Sequence, residues 1–104
     1  MEASTAVKQL SGLAQQTRLS IFRMLVQVGA EGLPAGEIAR RLQVPAPTLS
    51  VHLSRLEQAG LLVSERRQRQ ILYAVHPSGI RELMRFLTED CCEGRPELCG
   101  RPPA

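Results

Sequence analysis

Hydrophobic residues recur every three or four positions along most of the chain, which is the spacing of an amphipathic helix. A weakly patterned segment spans residues 3–13. A stronger one, QTRLSIFRMLVQVG, stops at Gly29, a residue that commonly ends helices. The residues expected on the apolar faces are Val7, Leu10 and Leu13 in the first segment and Leu19, Phe22, Leu25 and Val26 in the second.

Two shorter helical segments follow. LPAGEIARRLQV predicts a helix with Pro34 near its first turn and with Ile38, Ala39 and Leu42 buried. In PAPTLSVHLSRLEQAG the prolines suit only a turn or a first helical turn, and a helix is expected from Thr48 to Gly60. Its predicted inward residues are Leu49, Leu53 and Leu56, and its predicted outward residues are Thr48, Val51, His52 and Arg55.

The periodicity changes after Gly60. LLVSERRQRQILYAVH predicts a strand, an arginine-rich turn and a second strand, because alternate residues of the second half are apolar. The turn lacks the Asn-Gly or Asp-Gly of a tight hairpin, so a longer, mobile loop is expected. A last helix is predicted to start at Pro77 and Ser78, and the chain is expected to be irregular from Asp90 onward. The apolar residues of that helix are Ile80, Leu83, Met84 and Leu87.

This order of elements predicts a mainly α fold with a two-stranded β wing. Two short helices joined by a tight turn and followed by a basic hairpin make a winged helix-turn-helix, whose second short helix enters the major groove of DNA. With 104 residues, the chain is expected to hold one such domain, residues 1–90, and a tail, residues 91–104, that carries all three cysteines. Domains of this size often complete their core by forming dimers.

The charge distribution indicates a polyanionic partner. The net charge is only +3, but residues 40–69 hold six arginines against two glutamates, a local net of +4. A basic stripe of this kind favours nucleic acid, and the alternative is a solvated charged surface. The residues assigned to DNA are Pro47, Thr48, Ser50, Val51, His52, Arg55, Arg66, Arg67 and Arg69.

Other classes of protein find little support. No apolar run approaches the roughly 20 residues needed to span a bilayer, so no membrane partner is expected. The N-terminus lacks the apolar core of a signal peptide, and a cytoplasmic protein with reduced thiols is expected. Neither a glycine-rich phosphate loop nor paired carboxylates in an apolar setting are present, so the chain is not expected to be an enzyme.

Three segments resemble the ArsR-type family of metal-responsive winged-helix repressors. GLAQQTRLSIFRMLV is similar to the second helix of that family, PAPTLSVHLSRLEQAGLLV to its recognition helix, and SERRQRQILYAV to its wing. The resemblance implies a homodimer, built by the first and last helices, that leaves an inverted-repeat operator when a metal binds. The dimer residues it implies are Val7, Leu10, Met84 and Leu87.

The resemblance also limits where in the chain a metal-sensing site can lie. Some relatives bind arsenic through cysteines of the third helix, but LPAGEIARRL has none, and IRELMRFL lacks the ligands of the zinc-sensing relatives. Other relatives carry an arsenic site in C-terminal cysteines. Here Cys91, Cys92 and Cys99 are the three cysteines of the chain.

Three thiolates suit trivalent arsenic or antimony, which form a three-coordinate pyramid with sulfur. The C-C-x6-C spacing fits no zinc finger, and tetrahedral zinc would need a fourth ligand. The predicted ligand is therefore As(III) or Sb(III) at Cys91, Cys92 and Cys99. Oxidant sensing, zinc or cadmium with a borrowed carboxylate, and cysteines without a role stay open. A metal chaperone, or a module that uses the wing for protein contact, is the alternative outside DNA binding.

Overall fold

Six helices and three strands form the part of the chain that the computed structural model describes, residues 1–90 and 93–100. The helices are α1 (Ala3–Leu13), α2 (Gln16–Val28), α3 (Ala35–Leu42), α4 (Ala46–Gln58), α5 (Pro77–Arg85) and α6 (Pro96–Cys99). The strands are β1 (Leu33–Pro34), β2 (Leu62–Arg67) and β3 (Gln70–Val75), and a π-helical turn, Phe86–Asp90, follows α5. The predicted winged helix-turn-helix is confirmed.

One core joins α2, the helix-turn-helix pair and the base of the hairpin. On α4, Leu49, Leu53 and Leu56 are buried as their spacing predicts, and they pack with Ile38 of α3. Burying each such side chain stabilises the fold by about 1.5–3 kcal/mol. The stripe therefore determines which way α4 is rotated, and hence which residues it presents outward.

The predicted apolar face of α2 was wrong in part: Leu25 lies inward as expected, but two other members are exposed. Ile21 and Leu25 are fully buried, whereas Leu19 is 43% exposed and Val26 is 55% exposed. Val26 lines a surface groove between α2, the hairpin and α5. The inward face continues through Arg18, which is only 7% exposed, because its guanidinium binds the end of α1.

The sheet has the order β1-β3-β2 and is antiparallel throughout. The predicted longer loop at the wing tip was wrong, since Arg67 pairs with Gln70 and leaves a turn of two residues. Gln68 adopts φ +57°, a left-handed conformation that tight hairpins usually give to glycine or asparagine. Strand β1 was missed because two residues carry no alternation to detect.

Helix α5 docks against the end of α4 at two glycines. A Cβ atom built on Gly79 would lie 1.9 Å from the Gly60 carbonyl oxygen, so the backbones touch where no side chain fits. His76 caps α5 by accepting a hydrogen bond at Nδ1 from the Gly79 amide (2.8 Å). From α1, the buried Gln9 donates through Nε2 to the Gly79 carbonyl (3.4 Å). Helices α1 and α5 are thereby tied to the end of α4.

The tail departs from the expectation of an irregular chain after Asp90, because Pro96–Cys99 form a helical turn. Pro96 stands at its start, where its missing N–H costs nothing. Within residues 1–90 and 93–100, no helix is long and apolar enough to cross a membrane. The division at residue 90 stays a prediction.

Candidate nucleic-acid interface

Helix α4 presents its polar side to solvent at its N-terminal half. Pro45 stands at the cap position and gives no side-chain cap, and Pro47 lies in the first turn. With the leucine stripe turned inward, the opposite side chains face solvent; Val51 is 60% exposed. The predicted contact residues of α4 that are exposed are Pro47, Thr48, Ser50, Val51 and Arg55.

His52 is the exception on this face, because it is half-buried and bonded within the protein. Its Nδ1 lies 3.3 Å from Arg18 Nη1. Burial, together with the positive charges of Arg18 and Arg55, lowers the pKa of His52 below its ordinary value. The lowered pKa favours the neutral form of the ring.

Arg18 forms its side-chain hydrogen bonds within the chain, with carbonyl groups of α1 and with His52. Its Nε donates to the Gly12 carbonyl (2.7 Å) and its Nη2 to the Ser11 carbonyl (3.4 Å). Both carbonyls belong to the last turn of α1, where the helix dipole is negative, and the Ser11 carbonyl also accepts from the Ala14 amide (3.3 Å). Gln15 caps α2 by accepting from the Arg18 amide (2.8 Å). Sequence reasoning left the role of Arg18 open because a buried arginine has no periodic signature.

The wing carries three exposed arginines near its two-residue turn, Arg66, Arg67 and Arg69. Arg67 Nε lies 3.4 Å from Glu65 Oε1, an exposed pair that contributes little stability. Within the described ranges, Arg66 and Arg69 form no ion pair, and their charges are available to an external anion. The wing is linked to α4 by Ser64, whose hydroxyl donates to Glu57 Oε2 (2.6 Å).

The arginines of α3 contribute less to the basic stripe than their number suggests. Arg40 and Arg41 both bind the Glu37 carboxylate, with Arg41 Nε at 2.9 Å from Oε1. These hydrogen bonds hold the pKa of Glu37 at about 2, far below its usual value. Counting from residue 37 instead of 40 lowers the local net charge from +4 to +3. The positive charge available to a partner is therefore concentrated on the wing, because α4 carries only Arg55 and Glu57.

Apolar residues are exposed on the two helices expected to form a dimer. On α1, Val7 is 63% and Leu10 is 43% exposed, and on α5 Met84 is 54% exposed. Leu87 is half-buried in the π-helical turn.

The predicted sensor falls largely outside the described residues. Cys91 and Cys92 lie there, and Cys99 ends α6. In the described part of the chain, no three His, Cys, Asp or Glu residues are grouped so as to hold a metal ion. The cysteine site stays a prediction.

Three characterised proteins are similar to this chain over much of its length. "HTH-type transcriptional regulator YgaV" of Escherichia coli is 31% identical over 90 residues, covering 86% of this chain and 89% of YgaV. "Transcriptional activator HlyU" of Vibrio cholerae is 26% identical over 88% of this chain and 82% of HlyU. "Arsenic resistance transcriptional regulator ArsR1" of Pseudomonas putida is 35% identical over 62% of this chain and 49% of ArsR1. All three are transcription regulators, in agreement with the prediction that the chain is not an enzyme.

Solved structures share the fold. An ArsR-like transcriptional regulator from Rhodococcus sp. RHA1 superposes with a TM-score of 0.76 at 26% identity, covering 86% of this chain and 82% of that one. Reduced HlyU from V. cholerae gives 0.65 at 26% identity over 86% and 90%. Mb0332 from Mycobacterium bovis, described as a homodimeric winged helix-turn-helix domain, gives 0.69 at 21% identity over 88% and 85%.

A model of the helix-turn-helix domain family matches residues 13–65, which include α2, α3, α4 and most of β2. This stretch is half of the chain and holds the exposed face of α4 described above. The chain therefore belongs to the helix-turn-helix domain family and is a DNA-binding transcriptional regulator of the ArsR/HlyU type.

Proposed function

We propose that this protein is a homodimeric repressor that releases its operator when trivalent arsenic or antimony binds Cys91, Cys92 and Cys99. The observation that carries the proposal is the clustering of every thiol of the chain within nine residues. Three thiolates complete the coordination of a three-coordinate thiophilic ion, whereas they would leave zinc one ligand short.

The position of the cysteines couples a bound ion to α4 through α5. Cys91 follows the π-helical turn that extends α5, and α5 touches the end of α4 through Gly79 and Gly60. An ion that draws Cys99 toward the adjacent pair would constrain the end of α5. A change in how α5 packs would then alter the placement of α4. Typical couplings of about 1–3 kcal/mol correspond to a 5- to 150-fold loss of DNA affinity.

The exposed apolar residues of α1 and α5 support the dimer. Val7, Leu10 and Met84 are all more than 40% exposed in the single chain, and burying them would remove apolar surface from water. Mb0332, which has this fold, is described as homodimeric. A two-fold dimer presents two α4 helices to inverted half-sites about 10–12 base pairs apart. Selection of bound sequences from a random duplex pool should return an inverted repeat, and single asymmetric sites would contradict the dimer.

The test of the sensor is duplex binding by the full chain with and without arsenite, zinc and peroxide. Arsenite should weaken binding to the selected operator, and Cys91→Ser, Cys92→Ser and Cys99→Ser should each reduce that response. Affinity without arsenite should be unchanged, because none of the three lies on α4 or the wing. X-ray absorption should show three sulfur neighbours per arsenic. A normal response from Cys99→Ser would remove Cys99 from the site.

Oxidant sensing through the same thiols is the second candidate. The similarity to HlyU, which includes a structure of its reduced form, favours it. The carboxylates beside the adjacent cysteines oppose it, because Glu89, Asp90 and Glu93 disfavour the thiolate that oxidants attack. Release of DNA by peroxide but not by arsenite would establish oxidant sensing in place of the arsenic proposal.

A further inference from the structure

Arg18 and His52 join the end of α1 to the recognition helix through one buried cation. Three nitrogens of the guanidinium are used: Nε and Nη2 on the Gly12 and Ser11 carbonyls, and Nη1 on His52 Nδ1 at 3.3 Å. No carboxylate within the described ranges pairs with this guanidinium. The two carbonyls hold the group in place, and His52 completes the set.

The arrangement determines which imidazole nitrogen carries the proton. A guanidinium can only donate hydrogen bonds, so Nδ1 of His52 must accept. The neutral ring then carries its proton on Nε2. Protonation of Nδ1 would set an N–H against the guanidinium and a second positive charge beside it.

The other ring nitrogen of His52, Nε2, is not used within the described part of the chain. His52 Nε2 has no hydrogen-bond partner in the described part of the chain. It is also not buried, because Gln9 Oε1 is the sole buried side-chain nitrogen or oxygen there without a partner. Thr48 and Arg55, four residues before and three residues after His52, are exposed on the same face of α4. The Nε2 donor therefore belongs to the surface assigned to the major groove.

We infer that Arg18 is a positioning residue that presents His52 to DNA as a hydrogen-bond donor, so that α4 selects a base with an acceptor on its major-groove edge. Guanine suits this donor best, since its N7 and O6 both accept, whereas the amino group of cytosine would oppose it. The inference rests on the DNA-binding function and adds a specificity determinant to it. Arg18 itself touches no DNA.

The tautomer can be observed directly. Long-range 1H–15N spectra of the full chain at pH 7 should show His52 protonated at Nε2. Arg18→Lys should shift the ring toward a tautomer mixture, because one ammonium cannot reach all three acceptors at once. Arg23→Lys is the matched control, since Arg23 is an exposed arginine of the same helix. An imidazolium, or a proton on Nδ1, in the wild-type protein would overturn the inference.

The contribution of His52 to specificity can be measured with two substitutions that separate the roles of its two ring nitrogens. In His52→Asn the side-chain oxygen can replace Nδ1 toward Arg18 but no donor reaches the Nε2 position. In His52→Gln the amide nitrogen reaches that position. The Asn variant should lose about tenfold or more in the ratio of operator to unrelated-duplex affinity, with the Gln variant intermediate. His76→Asn is the control, because Asn can still cap α5.

The outcomes separate this inference from the proposed function. An unchanged ratio in His52→Asn would overturn the inference while leaving operator binding intact. Equal loss on operator and unrelated duplex would show a phosphate contact and would also overturn it. If the wild-type chain selected no operator from random duplexes, operator binding itself would fail. Circular dichroism on Arg18→Lys distinguishes a folded protein of altered preference from an unfolded one.

Discussion

Replacing Gly79 with alanine should undo the docking of α5 on the end of α4. The added Cβ would lie 1.9 Å from the Gly60 oxygen and 3.1 Å from the Gly60 carbonyl carbon. Both atoms are backbone, so no side chain can rotate away. The helix must move, and the contacts made from α5 by the buried Leu83 move with it.

The size of the effect follows from three contributions. Alanine in place of glycine inside a helix stabilises by about 1 kcal/mol. Overpacking costs about 1–3 kcal/mol where the surroundings can adjust, and a backbone obstacle lies at the upper end of that range. Partial exposure of Leu83 adds up to about 2 kcal/mol. We expect a net loss of about 2–4 kcal/mol, which lowers the urea midpoint by about 1–2 M for a typical slope of about 2 kcal/mol/M.

The assay is urea unfolding followed by circular dichroism at one fixed protein concentration, because dimerisation makes the midpoint depend on concentration. Gly36→Ala on α3 is the matched control, since a Cβ there meets nothing within 4 Å. It should raise the free energy of unfolding by about 0.5–1 kcal/mol. A Gly79→Ala protein as stable as wild type would refute the docking argument, as would equal shifts in the two variants.

Three further predictions concern the charges and the tail. Replacing Arg66 and Arg69 with alanine should make the slope of log affinity against log salt shallower by about 2 units in duplex titrations. Replacing Arg40 and Arg41, which both bind Glu37, should change the slope less; equal changes in the two double variants would contradict the assignment to the wing. A chain ending at Asp90 should remain dimeric by sedimentation and bind duplex but ignore arsenite, so loss of the folded dimer would show the tail to be structural. The pKa of Glu37 is lowered to about 2, so its contribution to stability is present above its unfolded pKa and is lost as the pH falls toward 2; the difference in urea midpoint between wild type and Glu37→Gln should shrink over that range, and a constant difference would argue against the ion pair.

The helices were predictable where burial follows apolar spacing. On α4, Leu49, Leu53 and Leu56 lie inward as expected, because no polar side chain competes for the inward positions. On α2 the pattern was right for Leu25 but wrong for Leu19, because the buried Arg18 takes an inward position next to it. A pattern that treats every arginine as outward misses such a position.

The wing has two features that local sequence rules do not predict, its turn and its pairing with β1. Two residues suffice for its turn because the pairing of β2 with β3 over six residue pairs imposes the register. Gln68 then takes a left-handed φ of +57° that its own preferences disfavour. Strand β1 exists only because Leu33 and Pro34 meet Tyr73 and Leu72 of β3. Neither feature is encoded by the residues that carry it.

The interface was predictable as a surface but not as a set of interactions. Counting charges from residue 40 to residue 69 identified a basic stripe but missed Glu37, which lies just before the counted stretch and binds two of its arginines. The contact between Arg18 and His52 joins residues 34 positions apart, and no spacing rule relates them. Whether a polar group faces DNA or is used within the fold depends on such pairings. The side-chain donors that can bind DNA are therefore known only after the hydrogen bonds within the protein have been assigned. For α4, those hydrogen bonds leave His52 Nε2 as an additional donor.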